Sequence, residues 1–406
     1  MKKINLNNII IFLSGAILFL APIRKLTTFF GFVSIQQILA IFLLFFFMIA
    51  YISGKINHKK SLILFIAIIF IYDMFLYLLQ SSTGVFPEIS YIFDRYKFWL
   101  FAFILYSINS SFDTKVFFGR VIIFSSSFAS ILGLFAYFIN LESLQVMASF
   151  DVKMYRAGYG LEFDTNYFAT IMTMSLPFHF NFYKYFPERD NLIKYLNPFL
   201  MLILYFTIFL SLSRGAYITS FLVLIYYTIT KIMSGEIKIT NFLSIGIIVA
   251  LAIFLLPTFF LLISSRLDDL FGLFNNQIDG SVQKRFNSYN SAMTLFSNNQ
   301  LFGIGIGQSA ILSGSTGFVS KNATFDNQFL TILVEQGVGF FIIYYGYIFS
   351  QLFTSLKNKL DEFNISLMIY LIASLMYNVE YLWNFYFLIA LVISNNETLR
   401  DEIYNN

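Results

Sequence analysis

Long apolar runs separated by short polar breaks dominate the chain, and their lengths predict a bundle of membrane-spanning helices. A helix needs about 20 apolar residues to cross the hydrocarbon core of a bilayer. Because barrel strands would alternate at about half that length, helices are the favoured spanning structure. The runs predict twelve spans, near residues 6–23, 35–53, 61–80, 96–110, 116–140, 164–183, 196–212, 215–233, 241–263, 327–353, 364–380 and 382–395.

The composition agrees with this prediction and excludes several kinds of site. Hydrophobic residues make up 58% of the chain and charged residues 12%, with a mean hydropathy of +0.73. Because a soluble domain carries about 25% charged residues, a water-facing surface is excluded. The chain has no cysteine, which excludes thiolate sites, and its two histidines, His58 and His179, are too far apart to suggest a metal cluster. The net charge of +4 is dispersed and gives no reason to expect nucleic-acid binding.

The N-terminal segment resembles a signal peptide but is predicted to remain as the first helix. Met1-Lys2-Lys3 precedes the apolar stretch Ile9–Ala21. However, Phe19-Leu20-Ala21-Pro22 offers no small-x-small cleavage pattern.

Basic residues in the short loops predict that both termini are cytoplasmic. Cytoplasmic loops of membrane proteins carry an excess of Lys and Arg. With the N-terminus inside, the inner segments hold twice as many of these residues as the short outer loops. The inner set is Lys2, Lys3, Lys55, Lys59, Lys60, Lys115, Lys184, Arg189, Lys194, Lys231, Lys238, Lys357, Lys359 and Arg400, and the outer set is Arg24, Lys25, Arg95, Lys97, Lys153, Arg156 and Arg214.

One long polar stretch, Ser264–Phe325, divides the chain into three parts of a single membrane domain. Residues 1–263 hold the first nine spans, residues 264–325 form a long outer loop, and residues 326–406 hold the last three spans and a cytoplasmic tail. Because a protein does not need such an insertion to cross a bilayer, we expect the functional chemistry at this face of the membrane.

Three polar signatures fall at the outer ends of helices that are predicted to run inward. The segment Arg156–Asn166 leads into the sixth span, Ser211-Leu-Ser-Arg-Gly215 joins the seventh span to the eighth, and Asp326-Asn327 opens the tenth. A helix N-terminus favours an anion, because its first amides are unpaired and the positive end of the helix dipole lies there. The three signatures therefore predict an anion site at the outer face.

The turn Ser211–Gly215 is the most informative of the three. Ser213 is expected to cap the eighth helix, and Arg214 adds a fixed charge with a planar fork of donors, which suits a phosphate or pyrophosphate. The alternative interpretation is an interfacial arginine that snorkels to lipid headgroups. The motif alone leaves both interpretations open.

The polar stretch contains two further signals. Arg285 lies in a segment with helical apolar spacing, which also fits a surface helix lying on the bilayer. The Gly-Ile-Gly-Ile-Gly run Gly303–Gly307 is not a dinucleotide-binding fingerprint, because no strand–turn–helix unit surrounds it. We expect it to form a flexible re-entrant segment.

Ionisable residues inside the spans are functional candidates by position, because burying them in a membrane is costly. They are Asp73, Arg120, His179, Glu335 and Glu380. Arg120 is expected to snorkel, His179 to be hydrogen-bonded, and Asp73 to form an interhelix salt bridge or hydrogen bond. Asp73 and Glu335 are the stronger functional candidates, because each is expected to face an interior cavity from the outer half, although the structural interpretation is favoured for Asp73.

The order of these signatures resembles the bacterial O-antigen polymerase and O-antigen ligase family of membrane glycosyltransferases. Four segments match in sequence order: Gly160–Ala169, Ser211–Ala216, Arg285–Gly307 and Asp326–Gly339. The long outer loop also fits, whereas the N-terminal third matches only as generic membrane spans.

The resemblance implies an all-α, GT-C-like glycosyltransferase of the bacterial inner membrane, active at the outer face. Its donor would be a saccharide on polyprenyl (undecaprenyl) pyrophosphate, and its product O-antigen of lipopolysaccharide, capsule or exopolysaccharide. Polymerases of this family extend the chain by one lipid-linked repeat unit, whereas ligases move a finished chain onto lipid A core. Besides membrane lipid, a chain-length-regulating membrane protein is an expected partner, and no cofactor is implied.

These expectations assign roles to the residues of the signatures. Cleaving a sugar–pyrophosphate bond requires charge stabilisation on the leaving group, which suits Arg214 and Arg285. A carboxylate, Asp326 or Glu335, would position or deprotonate the attacking hydroxyl, and two guanidinium groups make a metal unnecessary. The expected substrate-binding residues are Arg156, Asp164, Asn166, Ser213 and Asn327.

One departure from the pattern bears on polymerase versus ligase. The ligase pattern has His-Asn where this chain has Asp326-Asn327, and neither His58 nor His179 is expected at the outer face. The sequence therefore favours a polymerase, with a ligase as the alternative. A flippase is a more distant alternative, since carriers place their polar residues near the bilayer midplane.

Overall fold

The computed structural model describes most of the chain. The described residues are 5–29, 33–54, 60–82, 89–108, 112–144, 157–158, 161–162, 164–187, 191–235, 280–316, 325, 327–358, 361–378 and 382–405. The predicted ninth span, 241–263, lies outside these residues, as do Glu380 and the first part of the predicted outer loop.

The described part of the chain is built almost entirely from helices. Two-residue strands, β1 (Thr28–Phe29) and β2 (Val33–Ser34), form a small antiparallel hairpin. The helices are α1 (Leu6–Leu20), α2 (Ile35–Ile52), α3 (Lys60–Ser82), α4 (Ile89–Ser107), α5 (Phe112–Leu144), α6 (Thr165–Phe180), α7 (Phe182–Tyr185), α8 (Asn191–Leu210), α9 (Arg214–Met233), α10 (Gly280–Asn298), α11 (Gln308–Leu312), α12 (Gln328–Asn358), α13 (Glu362–Ser374) and α14 (Trp383–Asn405).

The chain is an all-α polytopic membrane protein, as its sequence predicts. Among the described residues, six helices are long and apolar enough to cross a membrane: α1, α2, α3, α5, α9 and α12. The apolar parts of α8 and α13 are shorter. The total of twelve spans stays a prediction.

Local signals in the sequence explain where several helices begin. Asn5 caps α1 by accepting a hydrogen bond from the amide of Asn7. Ser34 and Gln37 form a reciprocal capping box at the start of α2. These side chains satisfy amides that have no partner within the helix.

The core of the bundle is rich in aromatic side chains. Trp99 on α4 is fully buried and packs edge-on against Phe65, Tyr344 and Tyr386, which belong to three other helices. Such contacts add to the free energy of burial. They join α3, α4, α12 and α14 into one core.

Polar contacts at the two ends of the bundle join segments that the loop charges assign to the same face. At one end, Arg24 pairs with Glu162 at 2.7 Å. At the opposite end, Lys184 pairs with Glu362 at 2.6 Å, and Lys115 donates a hydrogen bond to Asn395. We call the first end, where α6, α9 and α12 begin, the site end.

The ionisable residues inside the predicted spans have specific partners. Asp73 is fully buried and pairs with Arg95 of α4 at 3.4 Å, which confirms the predicted interhelix salt bridge. His179 is hydrogen-bonded to Ser126 (3.0 Å) and to Asn197 (3.2 Å). Arg120 is exposed and donates to the carbonyl of Tyr185.

The absence of native cysteine allows the predicted sidedness to be tested directly. Lys25 at the site end and Ser234 at the opposite end are both exposed. In intact cells we expect a membrane-impermeant maleimide to label Lys25→Cys, and to label Ser234→Cys only after permeabilisation. Labelling of both variants from the same side would contradict the predicted topology.

Candidate active site at one end of the bundle

Three helix N-termini lie at the site end, each with a polar side chain at the cap position. Asp164 caps α6 by accepting from the amide of Asn166 at 2.6 Å. Asn327 caps α12 by accepting from the amide of Leu330 at 3.0 Å. Ser213 occupies the cap position of α9. The structure therefore confirms that the three signatures lie at helix N-termini.

The turn between α8 and α9 is fixed by its own side chains. The hydroxyl of Ser211 donates to the carbonyl of Ile208 (2.6 Å) and accepts from the amide of Ser213 (3.3 Å). Leu212 has a positive φ of 53°, which is unusual for a residue other than glycine. The amide of Ala157 donates to the carbonyl of Leu210 at 2.9 Å. This bond attaches the segment that follows Arg156 to the same turn.

The expectation that the Ser213 side chain caps α9 is wrong. Its hydroxyl makes no capping hydrogen bond and instead lies 2.9 Å from the hydroxyl of Tyr377. Both side chains are nearly inaccessible to solvent, at 1% for Ser213 and 6% for Tyr377. The Ser213 hydroxyl therefore takes part in a contact with the segment after α13 and not in a cap of α9.

The segment Leu375–Tyr377, which follows α13, contacts both α9 and α12. The side-chain amide of Asn327 donates to the carbonyl of Leu375 at 3.0 Å. A Cβ atom on Gly215 would lie only 2.1 Å from the Tyr377 hydroxyl, so this position has no room for a side chain. We call the segment Leu375–Tyr377 the α13 turn.

Sequence reasoning missed the α13 turn, because it predicts one apolar span over 364–380. The structure ends α13 at Ser374 and begins α14 at Trp383, which leaves a connection at the site end. The polar residues Asn378 and Glu380 were the available signal for this break. The apolar residues that precede Asn378 favour a continuous span, so the end of α13 at Ser374 was not predicted.

Helix α12 is interrupted in the half nearer the site end, where Gly337 has φ 78° and ψ 175°. The interruption releases backbone groups that a continuous helix would pair. The carbonyls of Val334 and Glu335 instead accept from the amides of Ile304 and Gly305, each at 2.9 Å. The amide of Val338 donates to the carbonyl of Gln300, also at 2.9 Å.

These backbone contacts explain the glycine run. A Cβ on Gly303 would lie 2.3 Å from the carbonyl oxygen of Glu335, and one on Gly337 would lie 2.1 Å from that of Leu301. Both glycines also have positive φ, which L side chains avoid. The expected flexibility of this run is therefore wrong, because the run is docked on the break in α12. Its re-entry into the membrane stays a prediction.

Glu335 anchors the same loop through its side chain. Its carboxylate is buried and accepts from the Ser309 hydroxyl at 2.5 Å and from the Ser309 amide at 3.3 Å. The neighbouring Gln336 donates to Asp73, which also accepts from Tyr96 at 2.8 Å. Glu335 follows Asn327 by eight residues, or about 12 Å along the helix axis, and so lies deeper than the three caps.

Arg285 lies on α10, which packs against α12. Arg285 shares a helix face with Ser288 and Ala292, and Ala292 belongs to a buried cluster with Val334. The end of α10 is near Val338, through the bond from Gln300, so α10 runs antiparallel to α12. Arg285 is therefore about 10 Å from Ala292 along the axis, in the direction of the α12 N-terminus.

Three predicted site residues lie partly or wholly outside the described part of the structure. Arg214 is the first residue of α9, but its side chain lies outside the described part of the structure. Arg156 and Asp326 lie wholly outside it. The described backbone thus brings the starts of α9 and α12 together on the α13 turn, while Glu335 belongs to a second, deeper cluster.

Comparison with known proteins supports the order of motifs. Residues 199–345 match the family model described as O-antigen ligase. The resemblance to the O-antigen polymerase and ligase family is confirmed. Comparison with curated proteins finds no match.

The O-antigen ligase match runs from within α8 to within α12. It includes Ser213, Arg285, Asn327 and Glu335 but stops before the α13 turn. Among the residues with described positions, no group of three or more His, Cys, Asp or Glu side chains could hold a metal ion.

The glycine at the break can be tested against a glycine of matched conformation. Gly303→Ala should destabilise the protein by at least about 2 kcal/mol, because positive φ and backbone overlap both oppose a side chain. The measurement is thermal unfolding of the purified protein in detergent.

Gly54→Ala is the matched control for this variant. Gly54 has φ 68°, close to the 70° of Gly303, but a Cβ there would meet no atom within 4 Å. It should cost only about 1 kcal/mol, from the left-handed backbone. Equal effects from the two alanines would show that the loop does not dock tightly on α12.

Proposed function

We propose that this protein is a surface-polysaccharide polymerase of the bacterial inner membrane. It transfers the growing glycan from polyprenyl pyrophosphate onto the next lipid-linked repeat unit at the outer face. The observation that carries this proposal is the convergence of the α9 and α12 N-termini on the α13 turn, within a chain matched to the O-antigen ligase family.

The convergence of helix N-termini suits a pyrophosphate because helix N-termini attract anions. The first turn of a helix presents unpaired amides and a partial positive charge, which together attract phosphate oxygens. Two such ends share the α13 turn, and a third begins at Thr165, three residues after the ion-paired Glu162. A lipid diphosphate at the membrane surface would meet this polar end while its polyprenyl chain stays in the bilayer.

Arg214 and Arg285 supply the charge that the leaving group requires. As the sugar–pyrophosphate bond breaks, negative charge grows on the diphosphate, and fixed donors stabilise it more than they stabilise the bound substrate. Arg214 begins α9, and α10 directs Arg285 toward the start of α12. Arginine suits this role because its planar fork binds phosphate oxygens in pairs.

The attacking hydroxyl of the acceptor sugar needs a carboxylate within hydrogen-bonding distance. Of the two predicted carboxylates, Asp326 is the better candidate, because it precedes the cap of α12. Glu335 lies about 12 Å further along the axis, and its carboxylate already accepts two hydrogen bonds from Ser309. We therefore assign Glu335 to holding the loop and Asp326 to the acceptor.

Two features divide the polymerase from the ligase. The family match is equally compatible with both activities, although the matched model is described as O-antigen ligase. Against that, Asp326-Asn327 stands in place of the His-Asn of the ligase pattern. His179 cannot substitute for the histidine of that pattern, because it is buried and bound to Ser126 and Asn197.

A chain-length-regulating membrane protein is the proposed partner of this polymerase.

Removal of either arginine should stop the reaction without preventing membrane insertion. Arg214→Ala and Arg285→Ala are each expected to lower polymer formation at least about 100-fold, as the loss of a donor to a developing anion does elsewhere. The measurement is the polysaccharide made by cells expressing each variant, normalised to the amount of protein in the membrane.

Arg120→Ala is the matched control, because Arg120 is an exposed arginine at the opposite end, bound to the Tyr185 carbonyl. It should leave polymer length unchanged. Long chains of normal abundance from Arg214→Ala or Arg285→Ala would exclude that residue from the mechanism.

The gel pattern of surface polysaccharide from a deletion strain distinguishes a polymerase from a ligase. Loss of a polymerase should leave core bearing a single repeat unit, whereas loss of a ligase should leave bare core. Loss of a flippase should leave unpolymerised units on the inner leaflet. Purified protein that extends lipid-linked repeat units would establish the polymerase, and bare core in the deletion strain would contradict it.

A further inference from the structure

We infer that Tyr377 is a positioning residue for the proposed transfer reaction. It sets the distance between the start of α9, which carries Arg214, and the start of α12, which carries Asn327. This inference rests on the proposed function and concerns a residue outside the range of the family match.

Tyr377 contacts the residues on both sides of Arg214. Its hydroxyl lies 2.9 Å from the hydroxyl of Ser213. On the other side, Gly215 leaves room for the same hydroxyl, since a Cβ there would lie 2.1 Å from it. Contact with Tyr377 therefore explains why the Ser-Leu-Ser-Arg-Gly motif has a serine at position 213 and a glycine at position 215.

The α13 turn also holds the second half of the site. Asn327 donates its side-chain amide to the carbonyl of Leu375 at 3.0 Å, while its oxygen caps α12 through Leu330. Two residues of one short turn therefore fix the first residues of two helices. No direct contact between α9 and α12 is needed to set their spacing.

This arrangement matters because a transfer reaction depends on the separation of its two substrates. The arginine would hold the leaving diphosphate, and the start of α12 would hold the acceptor. An error of about 1 Å in such an arrangement can cost up to roughly 100-fold in rate. Tyr377 need not touch either substrate to have this effect.

Tyr377→Phe removes the hydroxyl and keeps the ring, so it tests positioning with little change in packing. We expect kcat for extension of purified lipid-linked repeat units to fall roughly 10-fold, with KM changed by less than about threefold. In cells the modal chain length should shorten. Protein amount and melting temperature should stay close to those of the wild type.

Two further variants separate positioning from general loss of structure. Ser213→Ala removes the same hydrogen bond from its other side, so its effect and that of Tyr377→Phe should not add in the double variant. Tyr370→Phe is the matched control. Tyr370 is a fully buried tyrosine on α13, seven residues before Tyr377, and its hydroxyl has no hydrogen-bond partner among the described residues. It should leave kcat unchanged.

The outcomes distinguish this inference from the proposed function. A normal kcat in Tyr377→Phe beside an inactive Arg214→Ala would overturn the inference alone. Additive effects of Tyr377→Phe and Ser213→Ala, or an equal loss of kcat in Tyr370→Phe, would do the same. A wild-type protein that extends no lipid-linked unit would overturn the function and the inference together.

Discussion

The interruption of α12 at Gly337 is the constraint on which much of the described architecture depends. Inside a bilayer no water is available to pair a broken helix, so every released amide and carbonyl must find a protein partner. Here the loop from Gln300 to Gly305 provides those partners through three backbone hydrogen bonds. The buried carboxylate of Glu335 and the amide of Gln336 then fix the flanking elements, α11 and α3.

The ion pair beneath the break follows from the same constraint. Asp73 and Arg95 would each be costly to bury alone in a membrane. Together they are 3.4 Å apart, and Asp73 also accepts from Tyr96 and Gln336. This network joins α3, α4 and α12 just below the site end. It gives the polar loop a rigid base, so that the position of α10 and Arg285 does not depend on the loop alone.

Much of the fold could be predicted, because the signals that define membrane helices are local. Apolar length located the six helices that are long and apolar enough to cross a membrane, and the cap residues Asp164 and Asn327 identified two helix starts. Asp73 could be predicted to have a partner, because a buried carboxylate without one is too costly.

The rest depended on contacts between residues far apart in the chain. The glycine run looked flexible because its partner, the break at Gly337, lies more than thirty residues later. Ser213 looked like a cap because Tyr377, its actual partner, lies 164 positions away. The α13 turn was hidden within an apolar run, since hydropathy records composition and not where a helix stops. Tertiary contacts of this kind leave no pattern in the local sequence.

The separation of the two polar clusters along α12 has a consequence for how the site operates. The outer cluster, formed by Ser213, Asn327 and Tyr377, lies at the site end, and the inner cluster around Glu335 holds the loop in place. Because about 12 Å of helix separates them, a substrate bound at the outer cluster need not disturb the buried ion pair below. One helix therefore carries both clusters: Asn327 caps its start at the site end, while Val334 and Gln336 hold the loop and α3 deeper in the bundle.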